Sequence, residues 1–403
     1  MYAALDPGRE EIRLLRVARS AEYGSQVSCE IVVAQVQDPL LQYAALSYVW
    51  GDATDTEEIA VDGQPFKATK SLASALRQFR ESYKEKNGGG PSLIWADAVC
   101  INQQDVAERG QQVSMMGLIY KKASWVISWL GPSDDSTESG FALIKACARH
   151  VAATRKQRGG EHPESNIAMD ASDLAFLGEQ SEFHEQNHAR YARNKAWNAI
   201  DDLNQHVYWT RIWIIQEVVL ARRPDANILY CEALGAEATK APFFDQRVWD
   251  HVIKDKGLSS RFILFAQMLR DPRARGDYRF VSLISTTCRS TDPRDVVFGL
   301  SGVLGVEVVP DYNKKVADVF RECVAAILSK KQCKNFFHTA GLIREDRDIS
   351  EFPSWVPRFH NLIEDANYSI GPPDASIALG WTRYAQKAPR FWTSVPCDFL
   401  VCD

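Results

Sequence analysis

The sequence predicts an α/β protein: a mostly parallel sheet flanked by helices, with a helical insertion and a mainly helical C-terminal region. Three stretches carry this expectation. Leu93-Ile94-Trp95 and Trp125-Val126-Ile127-Ser128-Trp129-Leu130 are short apolar runs that bracket one amphipathic segment, in which Val106, Val113, Met116, Tyr120 and Ala123 recur at helical spacing. A helical crossover of that length returns the second strand parallel to the first, and parallel strands need helices on both faces. Further apolar strands are read at Tyr43 to Trp50 and at Asn227-Ile228-Leu229-Tyr230-Cys231. Leu46, Ile94, Val126 and Leu229 are therefore expected on neighbouring strands of one sheet. Anything catalytic should sit at the carboxyl ends of those strands, where Asp97 falls.

Composition narrows the class. A chain of 403 residues with 45% apolar content buries a large core and exceeds one ordinary domain. Its apolar runs are too short to span a bilayer, so no transmembrane segment is expected. Met1-Tyr2-Ala3-Ala4-Leu5-Asp6-Pro7 runs straight into Arg9-Glu10-Glu11, which does not read as a secretory leader, and a cytoplasmic location is expected. Nine cysteines without a CxxC pair read as reduced thiols. A net charge of −5 gives no electrostatic reason to expect nucleic acid as a partner.

Taken in order, residues 1–42 form an N-terminal β extension, a hairpin or ribbon around Ile12, Leu14, Val17, Ile31, Val33 and Val36. The strand through Ser47 and Tyr48 ends in Trp50-Gly51-Asp52, a combination suited to a tight turn. Asp62-Gly63 reads as a small hairpin turn, and Leu72, Ala75, Leu76, Phe79 and Tyr83 as a helical stripe closed by Asn87-Gly88-Gly89-Gly90-Pro91. Asp105 and Glu108 are the N-terminal pair of the crossover helix. Residues 43–235 are read as the central domain, interrupted by a polar insertion at 132–207. Tyr208 to Ala221 is apolar on almost every face, the pattern of a buried helix. The remainder, 236–403, is mainly helical: Asp292-Pro293-Arg294-Asp295 is a helix start, Val316, Val319, Phe320, Cys323 and Ile327 mark another helix, and the abrupt ending suggests continuation in a longer relative.

Four separated blocks resemble one family, the heterokaryon-incompatibility (HET) domain proteins of filamentous fungi. They are Ala45-Leu46-Ser47-Tyr48-Val49-Trp50-Gly51-Asp52; Ile94 to Gln103 with Glu108-Arg109 and Ile119-Tyr120; Trp209-Thr210-Arg211-Ile212-Trp213-Ile214-Ile215-Gln216-Glu217; and Asp292-Pro293-Arg294-Asp295. The resemblance implies a role in non-self recognition and regulated cell death. A second resemblance, in element order, is to TIR domains, whose fold is flavodoxin-like. Ser47-Tyr48, Asp97, and Trp213 with Glu217 match their motif positions. In NAD-cleaving TIR domains the corresponding glutamate is catalytic, which makes Glu217 the candidate here. The 132–207 insertion departs from that pattern.

Each candidate has a structural counterpart. Ser47, Trp50, Gly51 and Asp52 sit where a phosphate or ribose docks, although Trp50 also reads as a core anchor. Asp97 either faces a ligand or caps a turn. Arg109, Arg211 or Arg294 is expected to neutralise the site's acids, since an unpaired buried carboxylate is costly. Glu217 is the one acid among Ile212, Trp213, Ile214, Ile215, Val218, Val219 and Leu220. It either serves a site, with the Trp213 indole one turn away, or anchors its helix through an arginine. Cys100 has no histidine beside it in the blocks and reads as a structural thiol. His184-Glu185-Gln186-Asn187-His188 has zinc-site spacing but lies in polar surroundings, and no metal site is read there. Gly299 to Gly305 lacks the GxGxxG spacing and reads as helix and turn.

Two function classes remain open. One is an enzyme, a TIR-like glycohydrolase with NAD as its substrate and no cofactor. The other is a non-enzymatic module that self-associates as a homo-oligomer or docks on an incompatibility partner protein.

Overall fold

The computed structural model describes residues 2–85, 92–135, 137–143, 206–222, 227–230 and 288–329, with 146, 199, 202 and 203. Among these residues one eight-stranded sheet runs in the order β5-β4-β2-β1-β6-β3-β7-β8. Its strands are β1 (Glu11–Val17), β2 (Ser28–Gln35), β3 (Ala44–Tyr48), β4 (Thr56–Val61), β5 (Gln64–Thr69), β6 (Leu93–Trp95), β7 (Trp125–Trp129) and β8 (Asn227–Tyr230).

The parallel core is β6-β3-β7-β8, with Ala44 opposite Ile94 and Trp125, and Trp129 opposite Tyr230. Ile94, Leu46, Val126 and Leu229 lie on four consecutive strands, as the apolar runs predicted. In chain order these strands stand 2-1-3-4, the order of a flavodoxin-like sheet. Every residue of β3 is buried, which explains its unbroken run of small and apolar side chains: a central strand covered on both faces has no polar side.

The N-terminal hairpin is not an appendage. β1 pairs antiparallel with β2 and with β6, so it extends the same sheet. Ile12, Arg13, Leu14 and Leu15 are all buried, and the simple alternation expected of a half-exposed ribbon is lost there. The Asp62-Gly63 turn joins β4 and β5 as predicted; both residues have positive φ, 50° and 71°, the backbone of a two-residue hairpin turn.

Helix α1 (Lys70–Glu85) buries Leu72, Ala75, Leu76 and Phe79. The single turn α2 (Asp97–Cys100) follows β6 directly. Helix α3 (Val106–Lys122) is capped by Asp105, whose carboxylate accepts from the amides of Ala107 and Glu108. Glu108 turns away from the cap. It accepts from the Asn102 amide at 2.7 Å and pairs in two-pronged fashion with Arg13, Nη1 to Oε1 at 2.6 Å and Nη2 to Oε2 at 2.9 Å.

The apolar segment 208–221 is broken, not one continuous helix. A 3₁₀ turn over Val207–Thr210 stops at Arg211, which is extended (φ −79°, ψ 131°) and bridges to Arg289; α4 (Ile214–Val219) begins after that break. The Ile212 amide donates to the Arg289 carbonyl at 3.1 Å, so backbone that a helix would satisfy internally is satisfied by another segment. Helices α5 (Asp295–Leu304) and α6 (Val316–Ser329) follow, and Gly299 to Leu304 is helical as read. Helix α5 packs on α4 and α3. A Cβ built on Gly302 would lie 3.0 Å from Leu220 Cδ1 and 3.1 Å from Gln216 Oε1, and one on Gly117 3.2 Å from Leu220 Cδ1, so both glycines mark a close three-helix crossing. Of the 132–207 insertion and the 236–403 region only these parts are described; His184 to His188 lies outside the described residues.

Candidate functional site

In such a sheet the cleft lies where successive connections leave in opposite directions, here at the carboxyl ends of β3 and β7. Ser47 and Ser128 face each other in register across these two strands, both buried. Tyr208, from the 3₁₀ turn, reaches between them: its hydroxyl is 2.6 Å from Ser47 Oγ and donates to Ser128 Oγ at 2.9 Å. Ser47 Oγ in turn donates to Glu217 Oε2.

The Glu217 carboxyl group is 1% exposed and lies 3.8 Å from the Arg211 guanidinium, which also donates to the Tyr48 carbonyl. Arg211 is thus the arginine that meets the buried acid. The extended break that puts Arg211 outside a helix is what aims its side chain at the end of β3. Of the other two candidates, Arg109 stacks over the Tyr312 ring at 4.7 Å, and Arg294 binds Asp292 and the carbonyls of Tyr312 and Lys314.

Burial pushes the Glu217 carboxyl up to about 7; Arg211 and the Ser47 hydroxyl pull it back, Asp97 pushes it further up, and a Tyr120 hydrogen bond lowers it. Asp97 is the first residue of α2. It accepts from the Trp50 indole at 2.9 Å and from the Ala98 amide at 2.8 Å, and desolvation raises its pKa against the pull of Arg211. Trp50 is 40% exposed and so is not a core anchor. Gly51 sits at φ +76°, a backbone conformation that lets the chain turn away directly after the strand. Asp52 is exposed and closes its own turn, accepting from the Thr54 amide at 2.8 Å and hydroxyl at 2.7 Å, which holds its carboxyl below the usual range.

The structure therefore brings together Ser47, Asp97, Arg211 and Glu217, with Trp50 bonded to Asp97. Arg109 and Asp52 stand apart from that group. Trp213 is one turn before Glu217, since the Glu217 amide donates to its carbonyl at 3.2 Å, but its indole turns to α5, where it packs by Gly299 and hydrogen-bonds to Asp295. Cys100 is a free buried thiol pushed up to about 12 by desolvation, as a structural cysteine should be. Tyr208, Ser128 and Tyr120 complete the cluster, Tyr120 donating to the Leu46 carbonyl at 2.8 Å. Sequence reasoning missed all three. The available signal was a serine inside each of two otherwise apolar strands, because a buried hydroxyl needs a partner. No group of three or more His, Cys, Asp or Glu residues able to hold a metal occurs among the described residues.

The class that fold and site define is an α/β domain with a buried acid at the reversal point of its parallel strands. Residues 43–217 match the family model described as "Heterokaryon incompatibility protein (HET)", a match that ends on Glu217. That stretch of the chain is similar to the HET family. The chain is 28% identical over 419 residues to "Heterokaryon incompatibility protein 6, OR allele" of Neurospora crassa, an alignment covering 89% of this chain and 59% of that relative. The chain thus spans less than two thirds of the relative's length. No solved structure matches. No helix among the described residues is long and apolar enough to cross a membrane.

Proposed function

We propose that this protein serves non-self recognition and regulated cell death of the heterokaryon-incompatibility type, and that its HET-like domain acts by TIR-like cleavage of NAD. The family match and the relative's name support the role. The observation that carries the activity is the Glu217 carboxyl group at the strand-order reversal, bonded to Ser47 at the end of β3 and paired with Arg211. An acid tuned near neutrality in a cleft is the kind of group that substrate chemistry requires.

On this reading the ionised Glu217 binds a hydroxyl of the nicotinamide ribose and stabilises the positive charge that builds at the anomeric carbon. The carbon–nitrogen bond breaks with its electron pair leaving on nicotinamide. Water then adds to the anomeric carbon and releases a proton, giving ADP-ribose. Arg211 and Asp97, the charged groups around Glu217, meet the substrate with it. Since the acid is enclosed at rest, with Arg211 beside it, substrate entry on this reading requires the groups around Glu217 to move.

A second reading is supported by the same enclosure: Glu217 and Arg211 serve only to fix α4 on the sheet, and the domain is a binding module for a second copy or a partner protein. Incubation of the purified full chain with NAD, across protein concentrations that drive assembly, separates the two. The enzymatic reading expects nicotinamide release that Glu217→Gln abolishes while the protein stays folded. Absence of turnover in every assembled state favours the module.

A further inference from the structure

The short helix that carries Asp97 has little of its own to hold it. Helix α2 is four residues long, Asp97–Cys100, and its cap residue Ala96 supplies no side-chain hydrogen bond. A single turn does not sustain itself, because fixing its backbone costs more than its few internal bonds return. Those bonds include the Cys100 amide to the Ala96 carbonyl at 2.8 Å and the Ile101 amide to the Asp97 carbonyl at 3.2 Å. The carbonyls of Val99 and Cys100, at its far end, are the groups a helix terminus leaves without an internal donor.

Both are met from the N-terminal part of the chain. The Tyr2 hydroxyl donates to the Val99 carbonyl at 3.0 Å, and Arg13 Nη1 donates to the Cys100 carbonyl at 3.2 Å. Arg13 also donates to the Ala3 carbonyl, and its guanidinium carbon lies 4.8 Å from the centre of the Tyr2 ring. The segment is fastened again at Asp6, whose amide donates to Glu11 Oε2 at 2.9 Å. Burial pushes the Tyr2 hydroxyl up to about 12, so it keeps its proton and stays a donor at neutral pH.

We infer that Tyr2 is a positioning residue for Asp97: its hydroxyl fixes the far end of the turn at whose start Asp97 stands, and the N-terminal segment is thereby part of the support of the site. Asp97 in turn accepts from the Trp50 indole at 2.9 Å, so the effect of Tyr2 extends to that bond. Arg13 cannot isolate this role, because it also pairs with Glu108 and its removal disturbs α3. Tyr2→Phe can, because it keeps the ring under Arg13 and takes away only the bond to Val99. The consequence for catalysis rests on the cleavage reading above: Asp97 meets the substrate, so Tyr2→Phe should slow nicotinamide release.

The experiment is hydrogen exchange followed by ¹⁵N NMR on the full chain without substrate, with Trp50→Phe identifying the indole signal. In Tyr2→Phe the amides of Cys100 and Ile101 and the Trp50 indole N–H should exchange about fivefold faster, the factor carried by one net hydrogen bond, while the amides of β7 keep their rates. The control is Tyr43→Phe, which removes a hydroxyl bonded to the Ile119 carbonyl near the far end of α3 and should leave α2 and Trp50 unchanged. Unchanged exchange at α2 in Tyr2→Phe overturns the inference, and so does faster exchange at α2 with no change at the Trp50 indole, which would uncouple the turn from Asp97. Equal acceleration in both variants, or acceleration that includes β7, marks a general loss of stability and overturns it as well. The measurement is independent of turnover: the expected pattern in a protein that never releases nicotinamide leaves the positioning role standing and removes the cleavage reading.

Discussion

Replacing Glu217 with glutamine should abolish a defined part of the protein's pH-dependent stability. Burial pushes the folded acid up to about 7 against an ordinary value of 4.5, outweighing Arg211 and the Ser47 hydroxyl, which favour its charge. Below pH 4.5 both folded and unfolded chains carry the proton, and the contribution to stability is fully present. As pH rises from 4.5 to 7 the unfolded chain gives up its proton while the folded one keeps it, so stability falls by about 1.4 kcal/mol per pH unit. Above 7 both are ionised and the loss levels off at about 3 kcal/mol. Glutamine is nearly isosteric and has no charge to bury, so Glu217→Gln should match the wild type near pH 4.5 and exceed it by up to about 3 kcal/mol near pH 8. Asp295, which burial pushes up to about 6, adds a loss of the same sign over a lower window, but it is common to both proteins and cancels in the difference. Urea denaturation of both proteins from pH 4.5 to 8.5 measures the quantity directly. A difference in stability that does not change with pH would refute the argument that Glu217 is buried as an acid.

Two further substitutions test how the frame around the site is held. Arg13→Met should cost about 3–5 kcal/mol, because it strands Glu108 with only the Asn102 amide as partner; Arg13→Met with Glu108→Leu should recover much of that loss, and a double-mutant cycle by chemical denaturation reads the coupling. Gly302→Val should destabilise by about 1–3 kcal/mol, because its Cβ already meets Leu220 and Gln216 where α5 crosses α4 and its two methyl groups have no room; thermal melting checks this, and an unchanged melting temperature would mean the helices are not packed at that distance.

Local chemistry was enough for much of the framework. The apolar runs at 44–48, 93–95 and 125–129, the Asp62-Gly63 turn, the Asp105 cap and the helix at 295–304 are each specified by residues a few positions apart, and hydrophobic periodicity and turn preferences act over that range. Tertiary structure decided what depends on distant partners. Arg13 reads as the polar side of a ribbon until β1 is placed beside β6 and α3 supplies Glu108. The segment 208–221 reads as one helix until the backbone of Arg289, nearly eighty positions away, takes the hydrogen bonds at Arg211 and breaks it. For the site, the sequence singled out Ser47, Asp97, Arg211 and Glu217 as residue types that are expensive to bury without a purpose, and these do converge. Sequence alone did not determine that Tyr208 and Ser128 complete the cluster, that Trp213 turns to Asp295, or that Arg109 stacks on Tyr312, because a side chain's partner is set by how strands and helices stack and not by its neighbours in the chain.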